Sequence, residues 1–333
     1  MKKTPRLIIS ILLAALVLLS FGLEVFAGEK LMLYSSLKEK QLAAIKDGFM
    51  KANPNIDFDY YSAGSQKVIT KIATEVQAGK VGADVIIVAE TDYYNEIKGK
   101  GMLLPYVSPE AKNIPANLKD PEGYYTGIRT SLLVIGYNPN LLKGNDIPKD
   151  WVDLLNPKLK GWIGLADPTL SGTALYSVVA LIQNYKWEYF DKLKANGGIV
   201  AAGASDIVQK IASGDLKAGI VVDYLARTAE KQGSPVKYIL PKSGVIMVTG
   251  PVGILKTTKN EKAAKKFIDY ILSIEGQKEL AKADVSPARP EVKVEGMPSL
   301  SELSKTALPI NDKNLMLEKE TIMDRFSKLM RSR

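Results

Sequence analysis

Short apolar runs alternate along the chain with segments whose apolar residues recur every three or four positions. The run LMLYSS predicts a strand, and the segment after it places Leu42, Ile45 and Phe49 on one helix face. IDFDYYSAGS and ADVIIVAE predict two further strands, each followed by a helix. ADVIIVAE is apolar throughout, which is typical of a strand covered on both faces. Repeated strand–helix units of this kind predict a parallel sheet with helices on both sides.

The pattern is interrupted once and then begins again. Residues 105–127 are rich in Pro and Gly and predict a loop with one short helix. WVDLLNP, SGTALYSVVALIQNY, ASDIVQKIASGD and YLARTAEKQG then predict helices, with strands at GWIGLAD and AGIVVD. AAKKFIDYILSIEGQKELAK predicts a helix pair, and NLMLEKETIMDRFSKLM an amphipathic helix that packs on a lobe.

Two extended segments, near residues 130–137 and 245–252, connect the two alternations. The sequence therefore predicts an α/β fold of two lobes, each a mostly parallel sheet flanked by helices, with a cleft between them. The expected first lobe comprises residues 28–130 plus 252–295. The expected second lobe comprises residues 131–251 plus 296–333.

The first 27 residues differ from the rest of the chain. Lys2, Lys3 and Arg6 precede a long apolar run, and small residues follow it before Gly28. This order predicts a secretory signal peptide over residues 1–27 and a periplasmic location for the mature protein. The apolar run is also long enough to span a bilayer, so a retained N-terminal anchor is the alternative.

Composition narrows the possible functions. The chain of 333 residues has a net charge of +9. Removing three cations and Glu24 with the signal peptide leaves about +7, which suits an anionic ligand. Scattered lysines without interleaved aromatic residues give no indication of nucleic acid binding. The chain contains no Cys and no His, which excludes Ser-His-Asp and Cys-His nucleophiles and nearly all zinc chemistry.

Polar residues collect where the predicted strands end and helices begin. Ligands of open parallel sheets bind outside the carboxyl ends of the strands, where helix starts offer unpaired N–H groups. These hydroxyls could simply cap the helices, but several such junctions at one cleft favour a site for an anion or polar ligand. The candidate ligand-binding residues are Ser35, Ser36, Ser65, Glu90, Thr91, Thr169, Ser171, Gly172, Thr173, Asp223 and Tyr224.

Several of these residues have a second interpretation. Glu90 could be a carboxylate favoured by a helix dipole, and Tyr224 a core aromatic residue. Arg129 is interpreted as half of an ion pair that stabilises a lobe. A hydrolase using Glu90 and Asp223 as paired carboxylates is conceivable without His, but neither residue lies in a recognisable catalytic motif. We therefore expect no enzymatic activity and no cofactor.

The stretches WVDLLNPKLKGWIGLADPTLSGTALY and AAKKFIDYILSIEGQKELAK, with the signal peptide and the two predicted lobes, carry a family resemblance. They resemble the type 2 periplasmic solute-binding proteins of bacterial ABC importers, in the branch that binds ferric ion, phosphonates and sugar phosphates. The resemblance covers residues 30–300. It implies a monomer without catalytic activity that captures a small-molecule solute and delivers it to a permease in the inner membrane.

In the ferric branch, the resemblance implies that a His, a Glu and two adjacent Tyr hold the metal. The matching positions here are Ser36, Glu90 and Tyr224-Leu225, so the His and one Tyr are missing. Fe³⁺ needs several anionic oxygens, which Glu90 and Tyr224 supply only with a synergistic anion. We therefore expect a small anion, an organic phosphate or phosphonate, to rest on the helix start at Ser171, Gly172 and Thr173. Ferric iron with a synergistic anion is the alternative.

Overall fold

A mixed β-sheet runs through the whole described part of the molecule. The computed structural model describes residues 29–311 and 315–331, so the predicted signal peptide over residues 1–27 lies outside the described residues. The strands are β1 (Glu29–Ser35), β2 (Ile56–Ser62), β3 (Val85–Ile87), β4 (Leu103–Leu104), β5 (Thr126–Tyr137), β6 (Ile163–Ala166), β7 (Ile199–Ala201), β8 (Ala218–Val222), β9 (Lys237–Ile239), β10 (Ile246–Leu255) and β11 (Ser286–Pro287).

Helices cover the sheet. The α-helices are α1 (Glu39–Ala52), α2 (Ser65–Gln77), α3 (Thr91–Gly99), α4 (Gly172–Tyr185), α5 (Glu188–Ala195), α6 (Ala204–Ser213), α7 (Asp223–Lys231), α8 (Glu261–Leu272), α9 (Ile274–Lys282), α10 (Leu300–Lys305) and α11 (Leu315–Arg331). Short 3₁₀ turns occupy the connections at Pro109–Asn113, Ala116–Leu118, Gly144–Asp146, Trp151–Leu155 and Pro157–Leu159.

The strand order is β2-β1-β3-β10-β5-β8-β6-β7. The pairs β1–β2, β1–β3, β6–β7 and β6–β8 are parallel, as the repeated strand–helix units predict. The long strands β5 and β10 pair antiparallel with each other in the middle of the sheet. The two extended segments found in the sequence therefore form the central pair that joins the lobes.

Each lobe has its own apolar core. Leu42, Ile45 and Phe49 of α1 are fully buried against β1, β2 and α8, as their helical spacing predicts. In the second lobe, Trp151 is fully buried with the apolar face of α4, and its indole Nε1 donates to the Gly244 carbonyl at 2.9 Å. The two cores, one on each side of the β5–β10 pair, hold in position the strand ends that border the cleft.

Some elements differ from the sequence prediction. WVDLLNP forms a 3₁₀ turn rather than an α-helix, because Asp150 caps its start and Asn156 precedes a proline that disfavours further helix. The sequence pattern also missed α5 and the three-residue strands β7 and β9. Strands of three residues are too short to show a two-residue period, so only tertiary pairing defines them.

The C-terminal helix α11 packs on the body of the protein, as its amphipathic pattern predicts. Phe326 is fully buried, and its ring lies 5.4 Å from that of Phe190 in α5. Lys319, nearer the start of α11, contacts Asp92 and Glu96 of α3 in the first lobe. Within residues 29–311 and 315–331, no helix combines the length and the apolar character that crossing a bilayer requires.

Candidate functional site

A cavity of about 480 Å³ lies between the lobes at the carboxyl ends of the strands. We call it the cleft cavity. Five of the candidate residues line it: Ser36, Ser65, Ser171, Thr173 and Tyr224. Its further polar and charged lining residues are Lys38, Tyr61, Ser62, Lys67, Arg129, Ser131, Ser205 and Asp206. The volume falls in the range of small-molecule sites, and most of the hydrogen-bonding groups are hydroxyls.

Arg129 of β5 lies on the inner wall of the cleft cavity and is 3% exposed. Its Nη1 donates to Ser131 Oγ at 3.0 Å, and its Nη2 lies 3.4 Å from Ser36 Oγ. Among the described residues it forms no ion pair, and its buried Nε has no hydrogen-bond partner. The sequence interpretation of Arg129 as half of an ion pair is therefore wrong.

Burial lowers the pKa of Arg129, although a guanidinium still remains protonated near neutral pH. A buried cation without a carboxylate in salt-bridge contact is unfavourable, because desolvation outweighs the attraction of the nearby Asp223 charge. Gly250 of β10 leaves room for the side chain: a Cβ at this glycine would lie 2.7 Å from Arg129 Nε. The site thus presents a fixed positive charge toward the cavity.

The first lobe contributes two helix starts. Ser65 is the first residue of α2, and its Oγ accepts a hydrogen bond from Ala89 N at 3.3 Å. Lys38 stands at the N-cap of α1, and Lys67 lies in the first turn of α2. Both lysines are exposed, line the cleft cavity and take part in no ion pair among the described residues.

The second lobe contributes two more helix starts. Ser171 is the N-cap of α4; its Oγ lies 3.4 Å from Ala174 N and 3.1 Å from Thr173 Oγ1. The distance of 3.4 Å from Ala174 N to Ser171 Oγ makes this a weak helix cap. The Ser171 hydroxyl can therefore also bind a ligand. The start of α6, at Gly203, Ala204 and Ser205, also borders the cavity. The sequence did not predict β7, which precedes α6, and so it did not predict this strand–helix junction.

Tyr224, in the first turn of α7, is 9% exposed and lines the cavity. Burial raises the pKa of its phenol, and the nearby charge of Arg129 opposes that rise. The hydroxyl is therefore a neutral donor at neutral pH rather than a phenolate.

Three candidate hydroxyls serve local structure outside the cleft cavity. Ser35 is buried, and its Oγ accepts from Leu37 N at 3.0 Å. Thr169 donates to Asp167 Oδ1 at 2.7 Å. Thr91, the first residue of α3, is half-buried and does not line the cavity. Their sequence positions at strand ends are as predicted, but the Ser35 and Thr169 side chains are used to build turns.

Glu90 and Gly172 also lie outside the cavity lining, because they face each other across the lobes. A Cβ at Gly172 would lie 2.2 Å from Glu90 Oε1. Because glycine has no side chain, another group can approach its backbone closely. At Gly172 that group is the Glu90 carboxyl, and not the ligand that the sequence led us to expect. Glu90 is fully buried and accepts hydrogen bonds from Gln66 Nε2 at 2.9 and 3.1 Å. Burial, followed by the charge of Asp92, raises its pKa to about 8.

Asp223 is likewise buried behind the cavity wall and does not line it. One carboxylate oxygen accepts from Leu132 N at 3.0 Å, and the other pairs with Arg227 one turn along α7. Burial raises the pKa of Asp223, and the charge of Arg227 opposes that rise. The spacing of four residues on one helix was a sequence signal for this pair.

The positions matched to a ferric site are thus separated. Tyr224 borders the cavity, whereas the Glu90 carboxylate lies behind it and is bound to Gln66. In the described part of the chain, no three His, Cys, Asp or Glu side chains are grouped so that they could hold a metal ion. Hydroxyls, helix N-termini and cations make up most of the lining, a donor set that suits an anion.

Known proteins share this architecture. The periplasmic binding protein AfuA from Actinobacillus pleuropneumoniae, with exogenous fructose 6-phosphate bound, is 23% identical with a TM-score of 0.81, over 91% of this chain and 99% of AfuA. Iron-bound HitA from Pseudomonas aeruginosa is 21% identical with a TM-score of 0.78, over 89% of this chain and 99% of HitA. At these identities the two structures establish a shared fold.

Curated relatives cover less of the molecule. A Haemophilus influenzae protein is 31% identical over 64% of this chain. A probable ABC transporter periplasmic-binding protein from Sinorhizobium fredii is 26% identical over 56% of this chain. The alignments span only 64% and 55% of the lengths of these two relatives. The family model described as bacterial extracellular solute-binding protein matches residues 82–309, more than half of the chain. With the two-lobed fold and the cavity between the lobes, this match establishes that the chain belongs to the bacterial extracellular solute-binding protein family.

Proposed function

We propose that this protein is the extracytoplasmic solute-binding component of an ABC importer and that it captures a small organic phosphate or phosphonate. It performs no chemistry on the solute, and it acts as a periplasmic monomer that hands the solute to an inner-membrane permease. Family membership and the printed description of the Sinorhizobium relative support the transport role.

The observation that carries the ligand class is the buried Arg129 without an ion-pair partner among the described residues. Phosphate and phosphonate oxygens match the fork of guanidinium donors and accept several hydrogen bonds at once. Ser36 and Ser131, which already contact Arg129, lie beside the same position. Hydroxyls at the starts of α4 and α6 then supply donors from the opposite lobe.

We propose that the two lobes, residues 28–130 plus 252–295 and residues 131–251 plus 296–333, close over the solute by bending at β5 and β10. Arg129 and Ser131 lie on β5 itself, so an anion bound there touches the segment that bends. A ligand held by groups from both lobes binds the closed arrangement more tightly than the open one. This difference in affinity sets how far the ligand shifts the equilibrium toward closure.

Ferric iron held by Glu90, Tyr224 and a synergistic anion is the second candidate. The phenol of Tyr224 borders the cavity beside groups suited to an anion, and iron-bound HitA has the same fold. Iron binding would require Glu90 to leave Gln66 and Tyr224 to lose its proton, against the direction of its pKa shift.

Titration calorimetry with organic phosphates, phosphonates, carboxylates, polyamines and ferric citrate tests the proposal. We expect phosphates or phosphonates to bind, and Arg129→Gln to weaken binding by about ten- to a hundredfold, the usual effect of a lost charge-assisted hydrogen bond. Binding of polyamines but of no anion would refute the anion assignment. A coloured ferric complex abolished by Tyr224→Phe would establish the iron alternative.

A further inference from the structure

Charged side chains are unevenly distributed around the cleft cavity, and their distribution narrows the class of solute that fits. Arg129 is the buried cation of the inner wall, whereas Lys38 and Lys67 are exposed at the first-lobe side of the cavity. The charged lining consists of these three cations and one carboxylate, Asp206 of the second lobe. The cavity therefore carries an excess of two positive charges, found at two different depths.

The two lysines occupy positions that helix electrostatics disfavours. A helix N-terminus carries a partial positive charge, so a cation in the first turn is repelled and an acidic residue is favoured. Lys38 is the N-cap of α1, and Lys67 is the third residue of α2, whose first turn contains no acidic residue. Residues that break a local rule in this way tend to mark functional positions.

The first turn of α1 contains one acidic residue, Glu39, next to Lys38. Within the described residues, however, no salt bridge offsets the repulsion at either lysine. Neither Lys38 nor Lys67 forms a salt bridge, although lysines elsewhere on the same lobe, such as Lys71 and Lys98, do so. In the same cavity the buried Nε of Arg129 also has no hydrogen-bond partner. Two lysines, each at the start of a helix, thus add positive charge along the first-lobe edge of the cavity.

We propose that this edge is a second anion subsite, so that the protein selects solutes with two separate anionic groups. Resting on the proposed function, this inference places a phosphate or phosphonate at Arg129 and a second phosphate or a carboxylate at Lys38 and Lys67. Glu90 and Asp223 are the carboxylates that could bind an amine or hydroxyl end of a solute, but both lie outside the cavity lining. An anionic end suits the groups that do line it.

Matched ligand pairs test the second subsite. Glycerol 3-phosphate and 3-phosphoglycerate share a three-carbon skeleton and differ by a hydroxymethyl or a carboxylate end. Glucitol 6-phosphate and 6-phosphogluconate form the same comparison with six carbons. Calorimetry should give at least one pair in which the carboxylate ligand binds about tenfold more tightly. Two ion pairs with exposed lysines are weak individually, and together they support a difference of about this size.

The variant Lys38→Gln/Lys67→Gln should lose affinity for the carboxylate ligand about tenfold more than for its single-anion partner. Lys51→Gln is the matched control: Lys51 is an exposed residue of α1, roughly 20 Å along the helix from Lys38, and should preserve the ratio. Stopped-flow rates show whether the lysines contact the ligand or only attract it from a distance. Loss of a direct contact raises the dissociation rate, whereas loss of long-range attraction lowers the association rate.

The possible outcomes distinguish the two proposals. Equal affinities within both pairs, or equal losses for both members in the double variant, would overturn the second subsite and leave the proposed function standing. If none of the four ligands bound and phosphonates also failed, the proposed function would be contradicted and the subsite with it. A tenfold preference that the double variant removes and Lys51→Gln retains supports the subsite.

Discussion

Individual polar residues at the strand ends divide into those that line the cleft cavity and those that support the wall behind it. Arg129 and Ser131 are two apart on β5, so both point into the cleft cavity, whereas Thr130 between them points away. Glu90 and Asp223 lie one layer deeper, bound to Gln66 and Arg227. The two carboxyl groups therefore support the cavity wall from behind, and the hydroxyl groups form its surface.

Glu90 gives a prediction for the pH dependence of stability. Its pKa is raised from 4.5 to about 8 in the folded chain, mainly by burial. Between these values the folded protein holds a proton that the unfolded chain releases, so the stabilising contribution present below pH 4.5 is lost as pH rises toward about 8. Each pH unit inside this window costs about 1.4 kcal/mol.

Glu90→Gln removes this titration while leaving an amide of similar shape beside Gln66. The variant should become more stable relative to the natural protein as pH rises from 5 to 8, with no further relative gain above pH 9. Urea unfolding at a series of pH values measures the difference. A difference that stays constant with pH would show that Glu90 is already ionised in the folded protein.

Among the elements, α11 is notable because it touches both lobes. Its Phe326 packs in the core of the second lobe, and Arg325 lies over the ring of Trp187 at 4.2 Å. Its Lys319 contacts Asp92 and Glu96 of the first lobe. The Lys319 ion pairs are largely buried, and the desolvation of both partners offsets much of their attraction, so the buried aromatic side chain anchors the helix.

Phe326→Ala should lower the free energy of unfolding by about 3 kcal/mol or more, through lost burial and the cavity it leaves. Lys328→Ala, on the exposed side of the same helix, is the control and should cost less than about 0.5 kcal/mol. Denaturant unfolding, with hydrogen exchange over residues 315–331, measures both. A small effect of Phe326→Ala, together with rapid exchange along α11, would show that the helix is not anchored to the core.

At the scale of the whole molecule, β5 and β10 are the structural link between the lobes. They form the central antiparallel pair, with a register shift between Gly250 and Pro251. The bulge interrupts the ladder next to Arg129, since Gly250 pairs with Arg129 in the register. The proposed solute contact at Arg129 and the proposed bend between the lobes thus lie at the same place in the sheet.

Small-angle scattering should show the purified mature chain becoming more compact when a tightly binding organic phosphate is added. Compaction is expected because the proposed site draws on both lobes, so that a bound solute would stabilise their closed arrangement. Arg129→Gln at the same ligand concentration should remain in its ligand-free form. Unchanged scattering at saturation, with binding verified by calorimetry, would rule out closure as the response to the solute.

The sequence by itself determined the alternation of strands and helices, because the periods of apolar residues report which face each element buries. It located the polar strand ends for the same reason, since ligands of such sheets bind at those ends. The element boundaries of α4 and α6 follow the predicted segments SGTALYSVVALIQNY and ASDIVQKIASGD closely.

The tertiary structure alone decided which of those polar side chains face the cavity. Arg129 lies in β5, a strand buried along its whole length, so no period in its sequence distinguishes the two faces. The orientation of Glu90 and the approach of Gly172 depend on how two lobes meet, a contact between residues 82 positions apart in the sequence. Side-chain direction and the choice of charge partner are set by such long-range packing, which local pattern does not encode.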